Sequence, residues 1–215
     1  MISPKIPIAK EGYPFLGCTV LITLIVAIFG YKFLTVVSLA VSFFILYFFR
    51  DPERFTPKEN DSLICPADGK VILIEKIFDD RFFQEYVHKI SIFMNIFNVH
   101  VNRIPQSGTV ERIIYTPGTF YSADSDQGGL RNENCATIIT SDAGRKIAVV
   151  QVAGLIARRI VCWLELEDRV KQGDRFGLIR FGSRVDLYIP GSVQISVKKG
   201  QIVRAGETIL GQLIA

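Results

Sequence analysis

Histidine is scarce in this chain: His88 and His100 are the two that occur in 215 residues. A histidine-rich metal centre is not supported on that count. The four cysteines, Cys18, Cys65, Cys135 and Cys162, contain no pair at the spacing of a metal-ligand or redox motif. They are expected to be reduced, buried thiols. Net charge is small, at +4, and the basic residues are scattered among acids. A nucleic-acid binder would concentrate them in a patch, so no nucleic-acid partner is expected. Charge is missing altogether from Tyr13 to Gly30 and from Phe33 to Phe49, with Tyr31-Lys32 between the two runs. No small-residue cleavage pattern follows the first run, which argues against a removable signal peptide.

These two runs raise the mean hydropathy to +0.30. Each lies near the lower limit for spanning a hydrocarbon core of roughly 30 Å. The short break between them predicts a helical membrane hairpin over residues 1–49. Lys5 and Lys10 precede the first run, and Arg50, Arg54 and Lys58 follow the second. Basic residues at both outer ends predict that both ends face the cytoplasm, at the inner membrane of the cell. Whether the hairpin crosses the bilayer or dips into one leaflet is open from sequence. Residues 50–60, charged and carrying two prolines, read as a linker.

Residues 61–215 read as one β-rich domain. Apolar, β-branched or alternating runs occur at Val71–Ile74, His88–Met94, Thr109–Tyr115, Ala136–Thr140, Lys146–Val152, Gly177–Phe181 and Val185–Ile189, with turn residues between several of them. Helix signals are few, and Val152–Glu165 is compatible with strand or helix. A faint repeat links Val170-Lys171-Gln172-Gly173 to Val197-Lys198-Lys199-Gly200, each followed by further glycines. It resembles the hammerhead hairpins of biotinyl and lipoyl carrier domains, but the chain has no Met-Lys-Met tether for a carried group. The expected fold is mainly β: a β-sandwich or flattened barrel with hammerhead-like hairpins and few helices, plus the N-terminal helical hairpin.

Three segments stand out in order: Cys65-Pro66-Ala67-Asp68-Gly69-Lys70, then Phe97-Asn98-Val99-His100-Val101-Asn102-Arg103-Ile104-Pro105, then Phe181-Gly182-Ser183-Arg184. Singly, each is ordinary; an Asp-Gly or Gly-Ser pair is common in turns. Their order, behind an apolar hairpin and an Arg-Asp-Pro-Glu-Arg segment, resembles the phosphatidylserine decarboxylase family, in its short, pyruvoyl-dependent, self-cleaving branch. The resemblance covers roughly residues 50–215.

The resemblance implies cleavage between Gly182 and Ser183 into a large chain (1–182) and a small chain (183–215) that stay associated. Ser183 would attack the preceding carbonyl, with Gly182 leaving room for the bend. The amide becomes an ester, loss of the Ser183 α-proton expels the Gly182 carboxylate, and hydrolysis leaves a covalent pyruvoyl group, the cofactor (a bound form of pyruvate). His100 would take the hydroxyl proton and Asp68 would orient it, by the logic of a serine-hydrolase triad. The pyruvoyl carbonyl would form a Schiff base with phosphatidylserine, lose CO2 and yield phosphatidylethanolamine. The expected partners are thus the phospholipid substrate and the two chains of one precursor, with a homo-oligomer left open and no metal. Two departures stand against the longer members: Arg103 occupies the position of a second histidine, and Phe181 and Arg184 flank the Gly-Ser bond in place of Leu and Thr. His100 is therefore a candidate for both proton transfers. Two other readings are a pyruvoyl-dependent decarboxylase of a soluble amino acid and a non-catalytic membrane adaptor with a carrier-like β-domain.

Overall fold

The computed structural model describes residues 7–59, 61–155, 159–180 and 183–214. Two compact units divide the chain, Met1–Glu53 and Arg54–Ala215.

In the first unit a 3-10 turn, Lys10–Gly12, leads into α1 (Tyr13–Ile28), and α2 (Lys32–Phe48) follows. Proline lies in the first turn of α1, where its missing N–H leaves no intrahelical bond unmade. Gly30, at φ +77°, supplies the left-handed residue that turns the chain between the helices. Thr23 and Ser38 hydroxyls bond across the pair, and an antiparallel bridge between Ile8 and Arg50 closes its base. The helical stretch Lys10–Ile28 is long and apolar enough to cross a membrane; Lys32–Phe48 is apolar but shorter. Leu21, Leu24, Ile28, Phe33, Val36 and Phe43 point outward.

The second unit is built from antiparallel strands: β1 (Ser62–Ile64), β2 (Gly69–Asp79), β3 (Glu85–Met94), β4 (Val101–Arg103), β5 (Gly108–Thr116), β6 (Asn134–Thr140) and β7 (Lys146–Ala153) come first. Then follow β8 (Ile160–Cys162), β9 (Arg169–Val170), β10 (Arg175–Ile179), β11 (Ser183–Pro190), β12 (Val193–Ile195), β13 (Ile202–Val203) and β14 (Ile209–Leu213), while a short helix α3 (Asp126–Arg131) interrupts the series after β5. Eight strands form one sheet in the order β13-β2-β3-β11-β7-β6-β5-β9, and two three-stranded sheets, β4-β10-β8 and β1-β14-β12, complete the unit. The domain is mainly β, in keeping with the sequence. The Val152–Glu165 stretch holds the end of β7 and all of β8, with no helix among its described residues.

Alternation along the strands decides what is buried. Val185, Leu187 and Ile189 of β11 join Ile90, Ile92 and Met94 of β3 in the main core, which also takes Leu63, Phe176, Ile179 and Leu210 from the smaller sheets and Ile104 from just beyond β4. The opposite face of the large sheet forms a second cluster with Val87, Ala136, Val150 and Tyr188, against which Phe82 and Phe83 pack. Each fully buried aliphatic side chain is worth about 1.5–3 kcal/mol, so the central strands β3, β11 and β7 are the firmest part of the unit.

The two Val-Lys-x-Gly segments form matching turns. Gly173 and Gly200 both hold positive φ, +87° and +91°. In each, the lysine N–H is capped by the next residue after the glycine: Asp174 accepts from Lys171 at 3.0 Å, and Gln201 accepts from Lys198 at 3.1 Å.

Candidate active site

Ser183 opens β11, the strand at the middle of the large sheet. Its neighbours in register are Met94, the last residue of β3, on one side and Ala153, the last residue of β7, on the other. Ser183 is fully buried, and its Oγ has no hydrogen-bond partner among the described residues. A buried hydroxyl without a partner costs about 1–3 kcal/mol. The sequence starts this strand run at Val185; Ser183 and Arg184 already belong to it. Gly182 and Phe181, the other half of the Phe181–Arg184 motif, lie outside the described residues.

His100 arrives at the same end of the sheet by a turn that its own motif builds. Asn95 accepts from the N–H groups of Phe97 (2.9 Å) and Asn98 (3.0 Å), and the Asn98 side chain accepts from Asn95 N–H at 2.9 Å. The chain then enters β4 beside β10, and Ile179 N–H donates to the His100 carbonyl. The ring is buried at 2 % exposure, and Nδ1 lies 3.0 Å from the Asn98 carbonyl. A carbonyl accepts only, so Nδ1 carries the hydrogen and, in the neutral ring, Nε2 holds the basic lone pair. Asn102 lies within β4, two residues after His100. Asn102 Nδ2 reaches Met94 Sδ at 3.7 Å, and Met94 is the residue beside Ser183. His88 sits toward the other end of β3, opposite Ile189.

Asp68 begins the third approach. A Cβ at Gly69 would fall 2.1 Å from the Phe93 carbonyl oxygen, so glycine is what lets the start of β2 lie against the end of β3. All three motifs thus converge on Phe93 and Met94. The bonds of Asp68, however, run elsewhere: Oδ2 accepts from Arg54 Nη2 at 2.9 Å and Oδ1 from the Ala205 N–H at 2.8 Å. Arg54 also reaches Glu207 at 3.1 Å. The linker residue Arg54 is thereby a partner that the motifs alone do not reveal.

Arg103 is buried and donates from Nη1 to the Gly173 carbonyl at 2.9 Å. Asn132 ties the Phe120–Glu133 loop to the site, donating to the Ala153 carbonyl at 2.8 Å. Two polar residues to which the sequence assigned no role complete the surroundings. Gln151 and Asn102 are both fully buried and joined by a 2.9 Å bond from Gln151 Nε2 to Asn102 Oδ1. A glutamine within the strand run Lys146–Val152 carries no sequence signal beyond being polar where its neighbours are apolar.

Chemically, the site offers a buried hydroxyl, a buried imidazole with a free-base tautomer set by its backbone partner, a fixed carboxylate and a pair of buried amides. That inventory suits attack by a hydroxyl on an acyl group with the proton passed to the ring. Comparison with known proteins points the same way. The sequence profile of the phosphatidylserine decarboxylase family matches residues 41–211. A phosphatidylserine decarboxylase proenzyme of Desulfotalea psychrophila is 58% identical over 214 residues, covering all of both chains. Proteins of the same name from Syntrophotalea carbinolica (46% identical, 96% of this chain and 97% of the relative) and Syntrophus aciditrophicus (47%, 95% and 96%) are similar along nearly their whole length. With motifs, order and full-length similarity in agreement, the chain belongs to the phosphatidylserine decarboxylase family.

Proposed function

We propose that this protein is a membrane-held phosphatidylserine decarboxylase that cleaves itself between Gly182 and Ser183 and carries a pyruvoyl group made from Ser183. The observation that carries the reading is the Ser183 hydroxyl: fully buried, unpartnered among the described residues, and at the first position of the central strand. A hydroxyl kept there at a cost in stability is explained by chemistry at that atom. Ser183 Oγ attacks the preceding carbonyl, and His100 takes the hydroxyl proton at Nε2, its ring set by the Asn98 carbonyl. Asp68 is the relay's fixed carboxylate, held by Arg54 and the Ala205 N–H. A pyruvoyl group at position 183 supplies a carbonyl that takes up a primary amine and accepts the electrons released when CO2 departs. Its position suits the group: the surrounding Met94, Ala153 and Val185 exclude water from it. His100 is the residue proposed to return a proton to the substrate carbon.

The outward apolar side chains of α1 and α2 support a bilayer location for the first unit, since such side chains in water gain nothing from exposure. The basic residues at both outer ends support a cytoplasmic catalytic unit at the inner membrane. A substrate with two acyl chains gives that anchor a purpose; a soluble amino acid does not. The purified full chain, given phosphatidylserine vesicles, is expected to release CO2 and phosphatidylethanolamine, and to leave free serine untouched. Ser183→Ala is expected to remain one chain without activity. A Ser183→Ala protein that decarboxylates would overturn the proposal.

A further inference from the structure

The main core contains a polar island beside Ser183. Asn102 and Gln151 are each 0 % exposed. Gln151 Nε2 donates to Asn102 Oδ1 at 2.9 Å, and this fixes which end of the asparagine amide faces which way. The amino group, Nδ2, is turned toward Met94, whose thioether sulfur is its partner at 3.7 Å. A thioether is a weak acceptor, so a strong donor in a dry interior is left on a poor partner. Met94 is the register neighbour of Ser183, and both side chains lie on the core face of the sheet. Side chains directly opposite in an antiparallel pair have their Cβ atoms about 4.5–5.5 Å apart. An under-used donor and an unpartnered hydroxyl oxygen therefore flank the same methionine, a flexible side chain that adapts readily to small shifts around it.

We infer that Asn102 Nδ2 is the hydrogen-bond donor to Ser183 Oγ during self-cleavage, and that Gln151 is the positioning residue that keeps that donor turned toward it. The inference rests on the proposed reading of Ser183. The same oxygen needs a donor twice: first as it loses its proton to become the nucleophile, and again as the ester oxygen that departs with the bonding electrons when the α-proton of residue 183 is removed. In the resting state the donor waits on sulfur; catalytic hydrogen bonds commonly tighten only as the reaction proceeds. Loss of one such donor slows acyl chemistry by about 10²–10³-fold.

The test is the rate of chain cleavage after synthesis of the full protein, followed by denaturing mass spectrometry, with thermal melting as the check on folding. Asn102→Asp keeps size and can still accept from Gln151, but presents an acceptor where the amide presented a donor. It is expected to cleave at least about 100-fold more slowly than the parent. Gln151→Glu leaves Asn102 intact but offers it an acceptor, so the amide turns over and its oxygen faces Met94; slowed cleavage is again expected, of about 10-fold or more. If Asn102 merely braces β4 against β7, Asn102→Asp will cleave at the parental rate, and that result overturns the inference. Should Asn102→Asp fail to fold, Gln151→Glu decides by the same criterion. Failure of the underlying reading looks different: the parent chain itself would remain uncut.

Discussion

Asp68 has a bond on each carboxylate oxygen, one from Arg54 and one from the Ala205 N–H, and its side chain and that of Arg54 are each only about one-tenth exposed, at 11% and 10%. Removing one member of a nearly buried pair strands the other, at a cost of about 3–5 kcal/mol. Asp68→Asn is expected to lower the midpoint of thermal unfolding and to slow self-cleavage; Arg54→Met is expected to slow cleavage as well, because it releases the same carboxylate. Cleavage at the parental rate in both variants would remove Asp68 from the relay. At this scale the sequence was informative where chemistry is tied to a short motif. Ser183, His100 and Asp68 stand out by their neighbours in sequence, and the fold brings their three segments to the end of β3. Gln151 does not stand out, and Arg54 and Asn102, though inside quoted segments, show no role there, because what distinguishes all three is contact between positions far apart in the chain: Gln151 meets Asn102, and Arg54 meets Asp68 and Glu207.

Among the elements, β11 has the most demanding neighbours. Its core face carries Ser183 and aliphatic residues, while its other face carries Arg184, Asp186 and Tyr188. Arg184 bonds Asp186 through two nitrogens and reaches Ser91 Oγ at 2.9 Å; Lys89 lies 3.8 Å from Asp186. Asp186→Ala leaves two cations buried without their anion and is expected to destabilise the unit by about 3–5 kcal/mol, measured by urea unfolding; a change under about 1 kcal/mol would show that the cluster is not held by that carboxylate. Strands β6 and β8 bring together Cys135 and Cys162, a pair whose contact the spacing in sequence does not suggest. Interaction within the pair lowers the Cys162 thiol and raises that of Cys135, while burial raises Cys65. Iodoacetamide at neutral pH is therefore expected to label Cys162 before Cys65 or Cys135, and labelling should fade as acidification removes the thiolate. Equal labelling of the three would contradict the pairing. Long strands were readable from alternation and β-branching. The short strands β4 and β8 were less so, since three residues define little periodicity, and their place is set by packing on the main core.

The whole molecule explains how a cut chain could remain one protein. The proposed small chain, residues 183–215, contributes β11 between β3 and β7, β14 between β1 and β12, and β13 on the edge beside β2. Val185, Leu187, Ile189 and Leu210 are fully buried among residues of the proposed large chain. Withdrawing the fragment would open the core, so the two chains are expected to co-elute in mild detergent and to separate only in denaturant; separation under native conditions would contradict this. The apolar helical pair of the first unit was legible from its missing charge, and the mainly β character of the second unit from its alternation. The eight-stranded order was not, because it depends on pairings such as β11 with β3 and β7 that join distant parts of the chain. The central claim, chemistry at Ser183, is tested most directly by the intact mass of the purified full-length protein under denaturing conditions. The account predicts two fragments, divided between Gly182 and Ser183, with the smaller lacking a free amine at its first residue. A single unbroken chain of 24.1 kDa would contradict it.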